Sequence, residues 1–556
     1  MKQHDKLIAK SFFEKASGLA ELAACRLDPM DYEAELMARD AFADPMDFGA
    51  LFPKLLILYY HNESPYFAEK TILEKAKKCL LRFSEMLREN GTLDDLLAGT
   101  HSMSRTADTI TFIFPALSLI ENAASRTEEE DALLTLGKET LRRMANALVD
   151  GGFRDGYQRW LIVAALAVAE YFLGDERYST YADTLLAQGV KMSADGEYPD
   201  KNHEISLRND RAFFLTATYR RDKSFLSYPK AHLRAARVLF ETDGGVTNIA
   251  AYGWNQTPKA SATGYYPIHL AMAITDGDSE AAHIADSLAD GYLLSCTEDE
   301  LTELMLFFMS DKARAEKQDA LAPTAPVREK SVFFEEGKLA RIEIPEKDIA
   351  MTLVCSEQPV FFELKHKKTA IEARFAGSFF GSRAQFRPTE IIPTEDGYKL
   401  IYDAKAGYRS QLPEKPETSN WRFMDHSKRQ NINIQQFRVE ITVHILEDGA
   451  RFDIETIGCD RVPTKFEFVT APGLMFENDT IALRTKAGDY VFLKDGKARY
   501  YVSHRTYAEI ETEKFYLHTY GEDMRGAIPK DPQKFTVCMT ADTPQRSTVT
   551  LRIKEI

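Results

Sequence analysis

Four segments of the chain concentrate aromatic, amide and charged side chains. The first holds Leu93-Asp94-Asp95 and continues through His101 to Arg105. The second reads Arg154-Asp155-Gly156-Tyr157-Gln158-Arg159-Trp160. The third is Asp200-Lys201-Asn202-His203-Glu204, followed by Arg208-Asn209-Asp210-Arg211. The fourth contains Asn248, Tyr252, Trp254-Asn255-Gln256 and Tyr265-Tyr266. Tyrosine and tryptophan rings lie flat against sugar faces, while Asn, Arg and Asp hydrogen-bond hydroxyls and carboxylates. Two of the three tryptophans fall in these segments. Any one of them alone reads as rim packing and solvated charge. Four in phase, on a rigid scaffold, point to a carbohydrate cleft.

Other chemistries lack their signatures. The six cysteines, at 25, 79, 296, 355, 459 and 538, form no C-x-x-C pair, which excludes zinc fingers and thioredoxin-like exchange and leaves reduced, mostly buried thiols. There is no His-x-His, His-Glu-x-x-His or EF-hand loop, so no metal ligands are assigned. His504, Glu511 and His518, or His366 and His426, read as strand histidines with their neighbours. A structural divalent metal stays unassigned and no cofactor is expected. Gly377-Ser-Phe-Phe-Gly-Ser-Arg lies among strands without a following helix, so it is not a phosphate loop, and no Gly-x-Ser-x-Gly elbow exists.

The elements that must position these segments change character once. Up to about residue 320 apolar residues recur at helical spacing, as in Ile72-Ala76-Leu80-Phe83-Leu87 and Leu133-Leu136-Leu141-Met144-Leu148. The polar stretch 317–329 carries two prolines. Beyond it the period becomes two, as in Phe437-Arg-Val-Glu-Ile-Thr-Val-His-Ile and Thr548-Val-Thr-Leu-Arg-Ile. The reading is a multidomain chain, α then β: an (α/α) toroid over 1–320, a linker over 321–329 and an antiparallel β-sandwich over 330–556.

The toroid reading rests on a weak repeat. Asn90-Gly91, Asp150-Gly151-Gly152, Asp195-Gly196 and Asp243-Gly244-Gly245 each follow an amphipathic helix and precede an apolar or aromatic residue. Each glycine is expected to supply a left-handed helix cap. Stacked helical hairpins follow, as an open solenoid or a closed ring. The chemical content of the loops favours the ring, in which inner helices begin at one rim and the loops converge.

This order of elements resembles the (α/α)-toroid polysaccharide lyases of the heparinase II/III and alginate-lyase kind. Those families carry an Asn-His pair on the toroid and a Tyr some tens of residues later. Here Asn202-His203 stands in the third segment, and Tyr252 lies 49 residues after His203. The resemblance implies β-elimination on a uronate-containing glycan. Donors to the carboxylate stabilise the enolate, a base removes the C5 proton, and an acid protonates the departing oxygen. It implies that Asn202 contacts the carboxylate and that His203 and Tyr252 are base and acid in an order left open. Arg208 and Arg211 would assist, with Arg154, Tyr157, Trp160, Trp254 and Tyr265 lining the cleft. The family's second His-rich motif is reduced to Asp425-His426-Ser427, so His426 is the substrate-binding candidate from the β-domain.

Two rivals remain. A glycoside hydrolase on the same toroid, similar to the unsaturated-uronyl hydrolases, would draw paired carboxylates from Asp108, Asp155, Asp200 and Asp210. A glycan-binding protein would need no catalysis. The 70 Lys and Arg against 85 Asp and Glu leave a formal charge of −15 on 556 residues, with no basic run, which excludes a nucleic-acid partner. No apolar stretch suits a membrane span, and no secretory leader is legible, so a cytoplasmic location is expected. The expected partner is an acidic oligosaccharide or polysaccharide, met by Arg105, Arg154, Arg159, Lys201, Arg208 and Arg211 as a basic rim on an acidic protein.

Overall fold

A computed structural model describes residues 1–97, 99–151, 157–251, 260–381, 383, 385–516 and 524–556, with the side chains of Tyr157 and Ala260 also left aside. The chain divides into two compact units. The helical unit comprises Met1–Pro199, His203–Arg237 and Ala260–Val327. The β unit takes Arg328–Ile556 and two earlier pieces, Asp200–Asn202 and the segment after Arg237, described over 238–251.

Helices of two kinds build the first unit. Leu51–Tyr60, Tyr157–Leu173 and Tyr266–Asp276 are apolar almost all round: residues 51–58, 160–169 and 268–274 are buried without interruption. Such helices belong inside. Lys70–Met86, Glu128–Asp150 and Ser227–Val238 bury one stripe only and face outward on the other side. Their starts are fixed by side chains, as in the reciprocal capping of Thr127 with Glu130 and of Thr297 with Glu300.

The two ends of this unit meet. His4–Lys15 packs against Glu298–Met309, which also packs against Leu51–Tyr60. The buried His4 ring bridges the Tyr266 hydroxyl at 2.9 Å and Asp286 at 2.8 Å, and Lys54 pairs with Asp299 at 2.7 Å. The hairpins therefore close into a ring, and the open solenoid is excluded.

The repeated glycines hold a shared turn, not helix caps. Gly91 N–H donates to Arg88 O while Arg88 N–H donates to Thr92 O. Ser193, Gly196 and Glu197 repeat the pattern, as do Glu241, Gly244 and Gly245. All three glycines have φ between 84° and 93° and lie beyond the ends of their helices. The fourth member differs: Gly151 ends its helix directly, with φ −97°. The turns press on neighbouring helices, since a Cβ on Gly91 would stand 2.3 Å from Arg143 O and one on Gly196 2.6 Å from Ala231 O. Glycine is required there by contact as well as by φ.

Among the described residues, the β unit contains a nine-stranded and an eight-stranded sheet. Alternation sends Phe437, Val439, Ile441 and Val443 of the Asn431–Leu446 strand into a core shared with Phe361, Phe452, Phe466 and Phe468. Pairing is antiparallel except for Tyr490–Phe492, which runs parallel to Phe535–Asp542, so the sandwich is mixed at one edge.

Residues 238–251 are fastened to this unit by buried polar groups. Arg341, 2% exposed, donates to Glu241 at 2.9 Å and to Thr352 at 2.7 Å. Lys365 pairs with Asp243 at 2.8 Å, and the Thr247 hydroxyl donates to Glu363 at 3.0 Å. Burial, reinforced by the charges of Glu241 and Glu372, pushes the Glu363 carboxyl up to about 7.

Candidate active site

The His203–Arg220 helix starts at the Asn-His pair and carries Asp210 two turns further on the same side. Three neighbours bring partners to it. Tyr198 lies within the preceding loop, His232 lies on Ser227–Val238, and Tyr265 closes the short 3-10 turn Ala262–Tyr265. His203 Nδ1 stands 2.6 Å from the Tyr265 hydroxyl. Asp210 is wholly buried, with one oxygen 2.6 Å from His232 Nδ1 and the other accepting from the Tyr198 hydroxyl at 3.0 Å. The Tyr265 ring lies between two imidazoles, its centroid 6.0 Å from His203 and 6.1 Å from His232.

A third histidine supports Tyr265 from behind. His269 Nδ1 is 2.9 Å from Tyr265 O, and Arg237 Nε donates to its Nε2 at 3.4 Å. Together these contacts select the neutral Nδ1–H tautomer, with the ring donating to the carbonyl. Burial and the Arg237 charge lower its pKa to about 3, so it stays neutral. Burial raises the Tyr265 phenol far above its ordinary range, and the Asp210 charge adds to the effect, so this hydroxyl keeps its proton. Burial raises Asp210 as well, opposed by His232 and then by Tyr198. Two members of the cluster, Tyr265 and His269, are thus held neutral beside buried Asp210.

The structure separates the residues that the sequence grouped. Asn202 is buried beside His203 in the chain, and His203 and Tyr265 touch. Arg208 is exposed and pairs with Glu204 at 3.1 Å, one turn away on its own helix. Arg211 is held elsewhere: it pairs with Glu303 at 2.7 Å and Asp108 at 3.7 Å and donates to Thr111 at 2.9 Å, tying three helices together. Trp160 is buried in the helical core against Phe213, with Arg159 over its ring at 5.2 Å, so its faces serve packing. His426 belongs to the β unit, where its Nε2 donates to Trp421 O at 2.7 Å. Arg154, Tyr252 and Trp254, and the side chain of Tyr157, lie outside the described residues. The basic rim is corrected in part: Arg105 is neutralised by Asp44, Arg211 by Glu303, and Lys201 donates to Gly337 O.

His232, Tyr198, His269 and Arg237 were not found from the sequence. No motif marks them, because each is drawn in by tertiary packing. The one available signal was the seven-residue interval from His203 to Asp210, two turns along one helix face. Among the described residues no group of three or more His, Cys, Asp or Glu is placed to hold a metal, and no helix is long and apolar enough to cross a membrane.

No protein-family model and no curated protein sequence matches the chain. Solved structures do. Heparan sulfate lyase HepC from Pedobacter heparinus aligns with a TM-score of 0.54 at 10% identity, over 92% of this chain and 76% of that one. A mutant of the chondroitin AC lyase of Streptomyces coelicolor A3 aligns at 0.52 and 11% identity, over 99% and 80%. A GH127 β-L-arabinofuranosidase from Geobacillus stearothermophilus T6 spans 99% of the chain at only 0.32, too weak a likeness to bear on fold. At this level of identity the likeness is one of architecture: a helical toroid followed by β-sheets, the fold of the (α/α)-toroid polysaccharide lyases.

Proposed function

We propose that this protein is a polysaccharide or oligosaccharide lyase that cleaves a uronic-acid-containing glycan by β-elimination. The observation that carries this reading is the 2.6 Å contact between His203 and Tyr265, next in the chain to the buried Asn202. A phenol that keeps its proton and donates it to Nδ1 leaves neutral His203 with its hydrogen on Nε2. In that state His203 is a donor. Its place is at the substrate carboxylate or the departing glycosidic oxygen, with Asn202 as a second neutral donor to the carboxylate. The base that removes the C5 proton is then a different group, and Tyr252 takes that role on the resemblance of its spacing. The C5–H electrons form the C4–C5 double bond, the C4–O bond breaks, and the leaving oxygen takes a proton.

The hydrolase alternative asks for two carboxylates facing a sugar. Asp210 is wholly buried and spent on His232 and Tyr198, and Asp108 faces Arg211. Neither arrangement favours it. An acidic glycan is the partner in this reading, a resident cofactor is not required, and a cytoplasmic location would suit action on imported oligosaccharides.

The test is a panel of uronate polysaccharides and oligosaccharides followed by ultraviolet absorbance. A conjugated 4,5-double bond should accumulate with the wild-type chain and be lost with His203→Ala. New reducing ends without that absorbance would replace the lyase by a hydrolase, and silence across the panel would remove the catalytic reading.

A further inference from the structure

The Gly397–Arg409 and Asn431–Leu446 strands run on past the body of the sandwich. Residues 431–436 are exposed on both faces of the pleat, where 437–443 alternate in and out. A two-stranded ribbon with no core of its own is marginal in water. This one bears exposed Tyr408, Ile432 and Ile434, and its tip, 410–430, adds Trp421 at 60% and Phe423 at 78% exposure. So large an apolar surface marks a contact site.

Charge says what kind of contact. Between 405 and 430 there are six Lys or Arg and three Asp or Glu, a net +3 on a chain of −15. Here Lys405, Arg409, Lys415, Arg422 and Arg429 have no carboxylate partner among the described residues, and only Lys428 has one, Glu414 at 3.9 Å. Arg429 is fixed instead by the carbonyls of Ser410 and Arg409, which hold its guanidinium 5.1 Å from the Trp421 ring centroid. His426 lies against the same indole at 4.2 Å. Trp421, Arg429, Lys415, Glu414 and Gln411 line a cleft of about 430 Å³ with Leu412 and two prolines. That volume is in the range of small-ligand sites.

We propose that this ribbon tip is a binding site for an acidic sugar unit of a polyanionic glycan. An aromatic ring, an oriented guanidinium, an unpaired ammonium and an amide are the groups that grip a pyranose bearing a carboxylate or sulfate. The local positive charge steers such a polymer to an otherwise repelling protein. The site is independent of the reaction: it requires binding, and no step of the elimination.

Affinity electrophoresis of the full-length His203→Ala chain tests it, since that variant leaves the polymer intact. Gels contain alginate (carboxylate only), dextran sulfate (sulfate only) or neutral dextran. Retardation is expected in at least one acidic gel, weakening with salt, and none in neutral dextran. Trp421→Ala should weaken it about tenfold or more. The surface double variant Lys415→Glu with Arg422→Glu, which touches no core, should do the same. Retardation untouched by both variants, or absent from both acidic gels, overturns the proposal. So does a change of oligomeric state on Trp421→Ala, which would make the ribbon a self-association surface. Loss of turnover in the wild-type assay with retardation intact would sink the lyase reading and leave this one standing.

Discussion

At the residue scale, the Tyr265 hydroxyl decides how His203 behaves. In the proposed arrangement, Tyr265→Phe keeps the buried ring and removes the proton offered to Nδ1, so the Nε2–H tautomer is no longer selected. Turnover is expected to fall roughly 10- to 100-fold, the worth of one buried hydrogen bond to a reacting group. KM should change little, the pH profile should shift, and the thermal midpoint should stay within a few degrees. A variant that merely unfolded would not show that split. His269 supplies a second expectation. Its folded pKa, about 3, lies below its ordinary 6.5. The stability it secures is therefore complete above about pH 6.5 and lost as pH falls towards 3, at about 1.4 kcal/mol per pH unit. Urea midpoints at pH 7.5 and 5 should differ in the wild type. In His269→Asn, which can still donate to Tyr265 O, the difference should shrink by about 2 kcal/mol. An unchanged difference would place the acid sensitivity elsewhere.

At the scale of elements, the glycine turns are the firmest point of contact between sequence and structure. The repeat was legible because a left-handed turn pressed against a neighbouring helix admits little but glycine. Its meaning was misread, because a helix cap and a tight turn a few residues later ask for the same residue. Gly196→Ala should destabilise the helical unit by more than about 1 kcal/mol, through the φ of 93° and the 2.6 Å approach to Ala231 O. Gly244→Ala, at φ 84° but with nothing within 4 Å, should cost less. Equal losses in thermal unfolding would refute the role given to contact. The switch of period near 320 was legible for the same physical reason: core-facing spacing differs between helix and strand. Arg211 and Trp160 were not legible as packing residues. Their types suit a cleft and a core equally, and only partners from distant helices, Glu303 and Phe213, settle which. His203 and Tyr265 were visible by type, whereas His232 and Asp210 needed the fold to make them neighbours.

For the whole molecule, the linker is a poor guide to where the chain can be divided. A fragment of residues 330–556 contains every strand of both large sheets but lacks Glu241, Asp243 and Thr247. It would take from Arg341 its nearer carboxylate, Glu241 at 2.9 Å, and leave only Glu343 at 3.6 Å, a loss below the roughly 3–5 kcal/mol of a fully unpaired buried charge. Expressed alone, it should be insoluble or should unfold at much lower urea than the β unit of the full chain. Addition of a peptide spanning 238–251 should restore part of the difference. A fragment as stable as the intact β unit would show that the segment is a passenger.

The same threading has a consequence in time. Glu241 precedes Arg341 by 100 residues, and Asp243 precedes Lys365 by 122. At roughly 5–20 residues per second of synthesis, the acidic strap waits on the order of 5–25 s for its cations. During that interval the ribosome makes the helices that complete the ring, Tyr266–Asp276 through Glu298–Met309. The helices that complete the ring are thus synthesised before the strap's cations exist, and closure of the ring is expected to precede its anchoring. On stalled ribosomes, a protease should cut 238–251 readily until the Val360–His366 strand has emerged, and poorly afterwards.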